Sequence, residues 1–367
     1  MSDSITLTAH CLCKLHNFTT QVPKSRLPLP AYVCHCTSCR HSTGALYSID
    51  LPWPAHTRDV DISALQTFHF SSKTAIHFCG TCSTPIFFGH PADPDADLGV
   101  FTGALTNPAA DLVNLKTHIF VEDTQDGGAS VWLQNVNADG SEAKRYKHRA
   151  EAADAEELPA SWPDAAALTG FEKRTADKLN VKCKCGGIEY ALHRGDYKDG
   201  DDLPWFVVPK THKLIAGHCV CDSCRLFSGI DVFPWTFAEL KNLSFKDGKK
   251  VPADMSGLKA AVDSKEAGVG SLKYYASSPG VLRFFCGTCS ACVFFASDDR
   301  PKIVDVAVGV LDAPDGARAE GFLAWSFAKI QKVEDVKGGW REGLVDRVQK
   351  EIQEWRSGRG YPNIGDE

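Results

Sequence analysis

The chain has 367 residues, 43% of them hydrophobic and 23% charged, enough to fill the cores of two ordinary domains. No stretch approaches the ~20 apolar residues that a membrane span needs, and residues 1–18 lack the apolar core of an export signal, so a cytoplasmic protein with no membrane partner is expected. The net charge of −6 divides into −7 over residues 1–170 (11 Lys and Arg, 18 Asp and Glu) and +1 over the rest (29 and 28), so no nucleic-acid partner is expected.

In chain order, Cys11-x-Cys13 comes first, followed by Cys34-His35-Cys36-Thr37-Ser38-Cys39-Arg40. Strands are predicted over 74–78 and 86–89, which makes Cys79-Gly80-Thr81-Cys82 the turn of a hairpin. A further strand is predicted over 98–103. A basic run over 144–149 and an acidic, Ala-rich stretch over 151–167 then read as a linker. The same order returns as Cys183-x-Cys185, Cys219-Val220-Cys221-Asp222-Ser223-Cys224-Arg225 and Cys286-Gly287-Thr288-Cys289. Strands over 281–285 and 293–296 flank the last of these, and another is predicted over 303–310. Trp340, Leu344, Val348, Ile352 and Trp355 recur at helical spacing, so a helix from 340 to about 356 is expected, docked on its own domain.

Fourteen of the 15 cysteines fall in register between the halves, and only Cys292 lacks a counterpart. Gly44 and Gly229 each lie five residues past the third cysteine of the middle motif, and Phe87-Phe88 and Phe294-Phe295 follow the C-x-x-C at equal distance. The expectation is a tandem duplication: a first domain over 1–145, a linker over 146–176, a second domain over 177–337, and a helix and tail over 338–367. The first motif leads the second by 23 residues in the first half and 36 in the second, and the second leads the third by 40 and 62. The extra residues, 195–202 and 246–270, are expected to be surface loops.

An odd cysteine count with tight C-x-C and C-x-x-C spacing and no export signal points to metal rather than disulfides. Seven thiolates per half cannot close two tetrahedral zinc sites, which need eight. One Cys₄ site and one Cys₃ site with a vacancy fit instead, with the C-x-C and C-x-x-C clips as natural partners.

This order of motifs resembles the glutathione-dependent formaldehyde-activating (GFA/CENP-V) family, in two tandem copies. The resemblance implies a mainly β fold, two zinc-pinned, Mss4-like β-tents with a C-terminal helix. It implies about two Zn²⁺ per repeat. Cys11, Cys13, Cys79 and Cys82, with Cys183, Cys185, Cys286 and Cys289, would be structural ligands. Cys34, Cys36 and Cys39, with Cys219, Cys221 and Cys224, would be active-site sets. The first half departs from the family pattern at Lys14-Leu15, where Gly-Gly is usual and the second half has Gly186-Gly187. The second half departs at Val220, where the first keeps His35, so the first is the expected chemical copy.

A thiol such as glutathione would occupy the open position as a zinc-held thiolate and add to an aldehyde or another electrophilic carbon, or leave from one. This is carbon–sulfur lyase chemistry with a small-molecule thiol and an electrophile as partners. The alternative is a non-catalytic zinc scaffold or binding module with closed metal sites. His35, His41 and His77 are candidates for a proton shuttle or for packing near zinc. Arg40 and Arg225 are expected to balance local charge, Trp53 and Trp235 to pack in the core, and Cys292 to lie buried in a strand. The two copies are candidates to embrace as a pseudo-dimer.

Overall fold

In the computed structural model, which describes residues 3–56, 59–93 and 95–364, the chain is mainly β, in open sheets with a C-terminal helix. The first half has a hairpin of Ser4–His10 and Asn17–Pro23 beside an eight-stranded sheet. That sheet runs in the order Lys144–Arg145, Val113–Ile119, Leu29–Cys34, Ser48–Pro52, Gly99–Phe101, Pro85–Gly89, Ala75–Phe78 and Gln66–His69. The seven-stranded sheet of the second half runs Leu323–Trp325, Leu214–Cys219, Phe233–Glu239, Ile303–Ala307, Cys292–Ser297, Val281–Cys286 and Leu272–Ser278. Apart from the edge strand Lys144–Arg145, the two orders correspond strand for strand. In both, the strand leading into the middle cysteine motif pairs in parallel with a later one. A four-stranded sheet containing Lys178–Lys182 and Glu189–His193 completes the second half.

Alternation explains the strands. In Leu29–Cys34, Leu29, Ala31 and Val33 are buried while Pro30 and Tyr32 face outward. The hairpins around both C-x-x-C motifs form where expected. The strands expected over 98–103 and 303–310 are shorter. Each ends in a 3₁₀ turn, Thr102–Ala104 or Val308–Val310, whose central glycine N–H bonds across to the other half. Leaving the ladder satisfies these backbone groups across the seam.

Four α-helices form among the described residues: α1 (Thr37–Thr43), α2 (Asp222–Ser228), α3 (Met255–Asp263) and α4 (Trp340–Gly358). α3 lies in the stretch expected to be only surface loop. α1 and α2 are short, capped at the start by Cys36 and Cys221 and at the end by Gly44 (φ 79°) and Gly229 (φ 77°). That left-handed ending suits glycine. It also lets backbones touch: Gly309 N–H donates to Gly44 O at 2.8 Å, and Gly103 N–H donates to Gly229 O at 3.0 Å.

The two halves share one continuous apolar core. Trp132 of the first half sits 6.0 Å from Trp325 and 5.5 Å from Trp355, ring centre to ring centre. α4 docks on its own half, where Gln349 accepts from Ile330 N–H at 2.6 Å and Trp355 lies 5.4 Å from Phe327, and it reaches the first half as well. Arg341, fully buried, pairs with Asp231 at 2.6 Å and donates to the carbonyls of Leu105 and Thr106 in the first half. Arg347 donates to Val136 O at 2.6 Å. The helix carries two arginines toward the carbonyls of the other half, while Glu342, Asp346, Lys350 and Glu354 stay exposed.

Candidate metal centres

Cys11 and Cys13 lie in the turn of the first hairpin, and Cys79 and Cys82 lie in the turn between Ala75–Phe78 and Pro85–Gly89. Folding brings the four sulfurs within 4.8 Å of one another, with Cys13 Sγ 3.5 Å from both Cys11 Sγ and Cys79 Sγ. Cys183, Cys185, Cys286 and Cys289 converge in the same way, with Cys185 Sγ 3.5 Å from Cys183 Sγ and 3.4 Å from Cys286 Sγ. Sulfurs bound tetrahedrally at ~2.3 Å from zinc stand about 3.8 Å apart, whereas a disulfide brings them to about 2.05 Å. The separations match the first geometry.

Backbone N–H groups point at these sulfurs. His16 donates to Cys11 Sγ at 3.2 Å, Cys13 to Cys82 Sγ at 3.4 Å, Ile188 to Cys183 Sγ at 3.3 Å and Gly187 to Cys185 Sγ at 3.4 Å. Such donors favour thiolates. Lys14 (φ 63°) and Gly186 (φ 73°) hold the equivalent left-handed position after the second cysteine, so Lys14 fills a backbone niche better suited to glycine.

Crowding the thiols divides them. Hydrogen bonds from Cys11 and Cys79 hold Cys82 far below the ordinary thiol range, while those with Cys79 and Cys82 push Cys11 far above it. Cys286 goes down and Cys289 up in the second group. Four thiolates cannot coexist here without a cation, and an all-sulfur donor set suits zinc. Both groups therefore have zinc-binding capacity.

The sulfurs of Cys34, Cys36 and Cys39, and those of Cys219, Cys221 and Cys224, also lie within 4.8 Å of one another. Cys36 Sγ and Cys221 Sγ each accept the N–H three residues on at 3.3 Å, capping α1 and α2. Hydrogen bonds from Cys34 and Cys39 lower Cys36 to about 3. In the second trio it is Cys224 that is lowered, by Cys219 and Cys221 first and then by Arg283, whose Nη1 lies 3.5 Å from its sulfur.

These arrangements overturn the expected open lyase site. In each four-thiol group three cysteines are fully buried, and four sulfurs leave no position for a visiting thiol. In the trios Cys224 is buried and the other five cysteines are half-buried. The imidazoles nearby are not poised to move protons. His35 bonds His118 at 2.9 Å, and burial holds His35 well below its ordinary range and His118 and His218 at about 3. The mostly buried four-sulfur groups favour the scaffold alternative over carbon–sulfur lyase chemistry.

The remaining singled-out residues tie the molecule together. His41 pairs with Asp312 of the second half at 3.1 Å, and His77 bonds Thr67 Oγ1 at 3.0 Å. Arg225 pairs with Asp222 at 2.7 Å, but it also reaches the carbonyls of Gly103 and Leu105, so it bridges the halves as well as balancing charge. Arg40 stays local, on Thr37 Oγ1 at 3.1 Å. Trp53 and Trp235 are buried, and Cys292 opens a strand with its thiol pushed up by burial.

Sequence reasoning missed a cavity of about 1000 Å³ that Cys219, Cys221 and Cys224 of the second trio line together with Trp205, Phe237, Phe295, Arg283 and Arg300. Arg300 pairs with Asp305 at 2.6 Å. Arg283 lies three residues before Cys286, where the first half has Ile76, so comparing the halves for differences instead of matches would have pointed to it.

No curated protein matches the chain. Residues 6–123 match the family model described as glutathione-dependent formaldehyde-activating enzyme, a stretch that spans all seven cysteines of the first half.

Proposed function

We propose that this chain is a non-catalytic, zinc-pinned binding scaffold built from two GFA-like copies. Residues 1–145 and 177–337 form the copies, 146–176 link them, and 338–367 clasp them together. One zinc is held by Cys11, Cys13, Cys79 and Cys82, and a second by Cys183, Cys185, Cys286 and Cys289. In each site the metal supplies charge compensation and a cross-link between segments that are distant in sequence. The three-cysteine sets, Cys34, Cys36 and Cys39 with Cys219, Cys221 and Cys224, start the two seam helices.

The observation that carries this reading is the convergence of two complete four-sulfur groups, each with three fully buried cysteines and each joining the first hairpin of its half to a turn more than 60 residues away. A structural zinc of this kind contributes its binding energy to folding. Zinc counting by mass spectrometry on Cys79→Ser, Cys286→Ser and Cys36→Ala tests it. The parent should hold about two tightly bound ions. Each of the first two variants should lose one ion and much of its stability, while Cys36→Ala should keep both. Loss of an ion from Cys36→Ala with retention of both in Cys79→Ser would refute the proposal.

A further inference from the structure

The cavity of the second half has features the first half lacks. Trp205, 59% exposed, is one of few large apolar side chains left in solvent. It belongs to the interval between the first and second cysteine motifs, which is thirteen residues longer in the second half. Its ring lies 4.6 Å from Phe237, and the guanidinium groups of Arg283 and Arg300 lie 5.0 and 5.5 Å from the ring centre of Phe295. By strand register, Arg283 and Asp305 stand where the first half has Ile76 and Gly99. The walls are thus aromatic faces with cations laid against them.

The charged groups are mostly paired. Arg283 is on Cys224, Arg300 on Asp305, and Lys332 on Glu334 at 3.7 Å. Beside the thiols of Cys219, Cys221 and Cys224, the hydroxyls of Ser223, Ser278 and Ser326 and the Gln331 amide, two basic groups remain. Lys329 is exposed on the lining. His218, 4% exposed and also on the lining, has an Nε2 with no hydrogen-bond partner. A buried ring nitrogen without a partner is a costly arrangement that a bound polar atom relieves. The volume is that of a small-molecule site, apolar with a few convergent polar groups.

We propose that this cavity binds a planar aromatic carboxylate. The ring would lie among Trp205, Phe237 and Phe295, the carboxylate would meet Lys329, and a ring heteroatom or bound polar group would meet His218 Nε2. The inference deepens the scaffold reading and rests on it, because it assigns recognition, not turnover, to this face.

Isothermal titration calorimetry of the intact zinc-loaded protein tests it, with indole-3-acetate as the probe and indole and acetate as controls. Indole-3-acetate should bind saturably with a Kd below ~1 mM. Indole should bind at least about tenfold more weakly and acetate not measurably. Trp205→Ala and Lys329→Gln, both exposed and outside the core, should each weaken indole-3-acetate by about tenfold with the zinc count unchanged. No saturable binding, equal binding of indole and its acetate, or indifference to both substitutions would overturn the proposal. Failure of the scaffold reading would appear separately, as a zinc count or ligand set other than that proposed.

Discussion

Arg341 is where the clasp between the halves is most concentrated. It is fully buried, as is its partner Asp231 at 2% exposure, and Asp231 keeps only one other side-chain donor, Thr102 Oγ1 at 2.5 Å. Burial lowers Arg341 to about 9, so it remains charged at neutral pH. Arg341→Met preserves most of the volume but leaves Asp231 as a buried charge without its cation, a change that costs about 3–5 kcal/mol. The hydroxyl of Thr102 still serves Asp231, which argues for the lower end. The carbonyls of Thr102, Thr106 and Leu105 each lose a donor but keep another, from Leu105 N–H at 3.1 Å, Trp340 Nε1 at 3.2 Å and Arg225 at 2.8 Å, so they add little. The expected loss is about 3–4 kcal/mol, read from guanidinium-induced unfolding followed by tryptophan fluorescence with zinc present. Adding Asp231→Asn should restore about 1–2 kcal/mol, because the orphaned charge is then gone. A loss under about 1 kcal/mol for Arg341→Met, or no recovery in the double variant, would show that α4 does not clasp the halves through this pair.

Three further outcomes follow from the same geometry. Burial pushes the Asp50 carboxyl up to about 7, so the folded chain holds a proton that the unfolded chain releases; stability should fall as pH rises from about 4 through 7, and Asp50→Asn should reduce the pH 5 to pH 8 difference in unfolding midpoint. Equal differences in both proteins would refute this. Gly44→Ala forces a left-handed alanine whose Cβ would lie 2.3 Å from Cys292 O, so thermal unfolding should show a loss of at least about 2 kcal/mol, and an unchanged melting temperature would contradict the seam geometry. Lys14→Gly places glycine in the left-handed niche of the first knuckle and should raise stability by about 0.5–1 kcal/mol with zinc retained; destabilisation in a melt would count against that backbone reading.

The cysteine order made the two four-sulfur groups and the two trios legible in advance, because a two-residue clip has few ways to satisfy a tetrahedral metal. The hairpins around Cys79 and Cys286 were legible for the same reason, reinforced by alternation on either side. What escaped were features set by contact between the halves. Periodicity cannot show that residues 102–104 and 308–310 leave their ladders to bond across a seam, or that Arg341 and Arg347 face another half instead of water. α1 and α2 are too short for an amphipathic signal, and their caps are cysteine sulfurs, outside the usual cap residues. The open-site expectation failed because cysteines in sequence say nothing about how deeply their sulfurs are buried. The cavity depends on Trp205, Arg283 and Asp305, which are informative only as departures from the repeat.

A closed scaffold requires that the chain alone enclose its metal. Zinc-edge X-ray absorption on the purified protein, before and after adding a millimolar small thiol, measures this directly. Two ions, each with four sulfurs at ~2.3 Å and a spectrum unchanged by the thiol, are the predicted result. A population with three protein sulfurs and a lighter fourth atom that the added thiol replaces would contradict the closed scaffold.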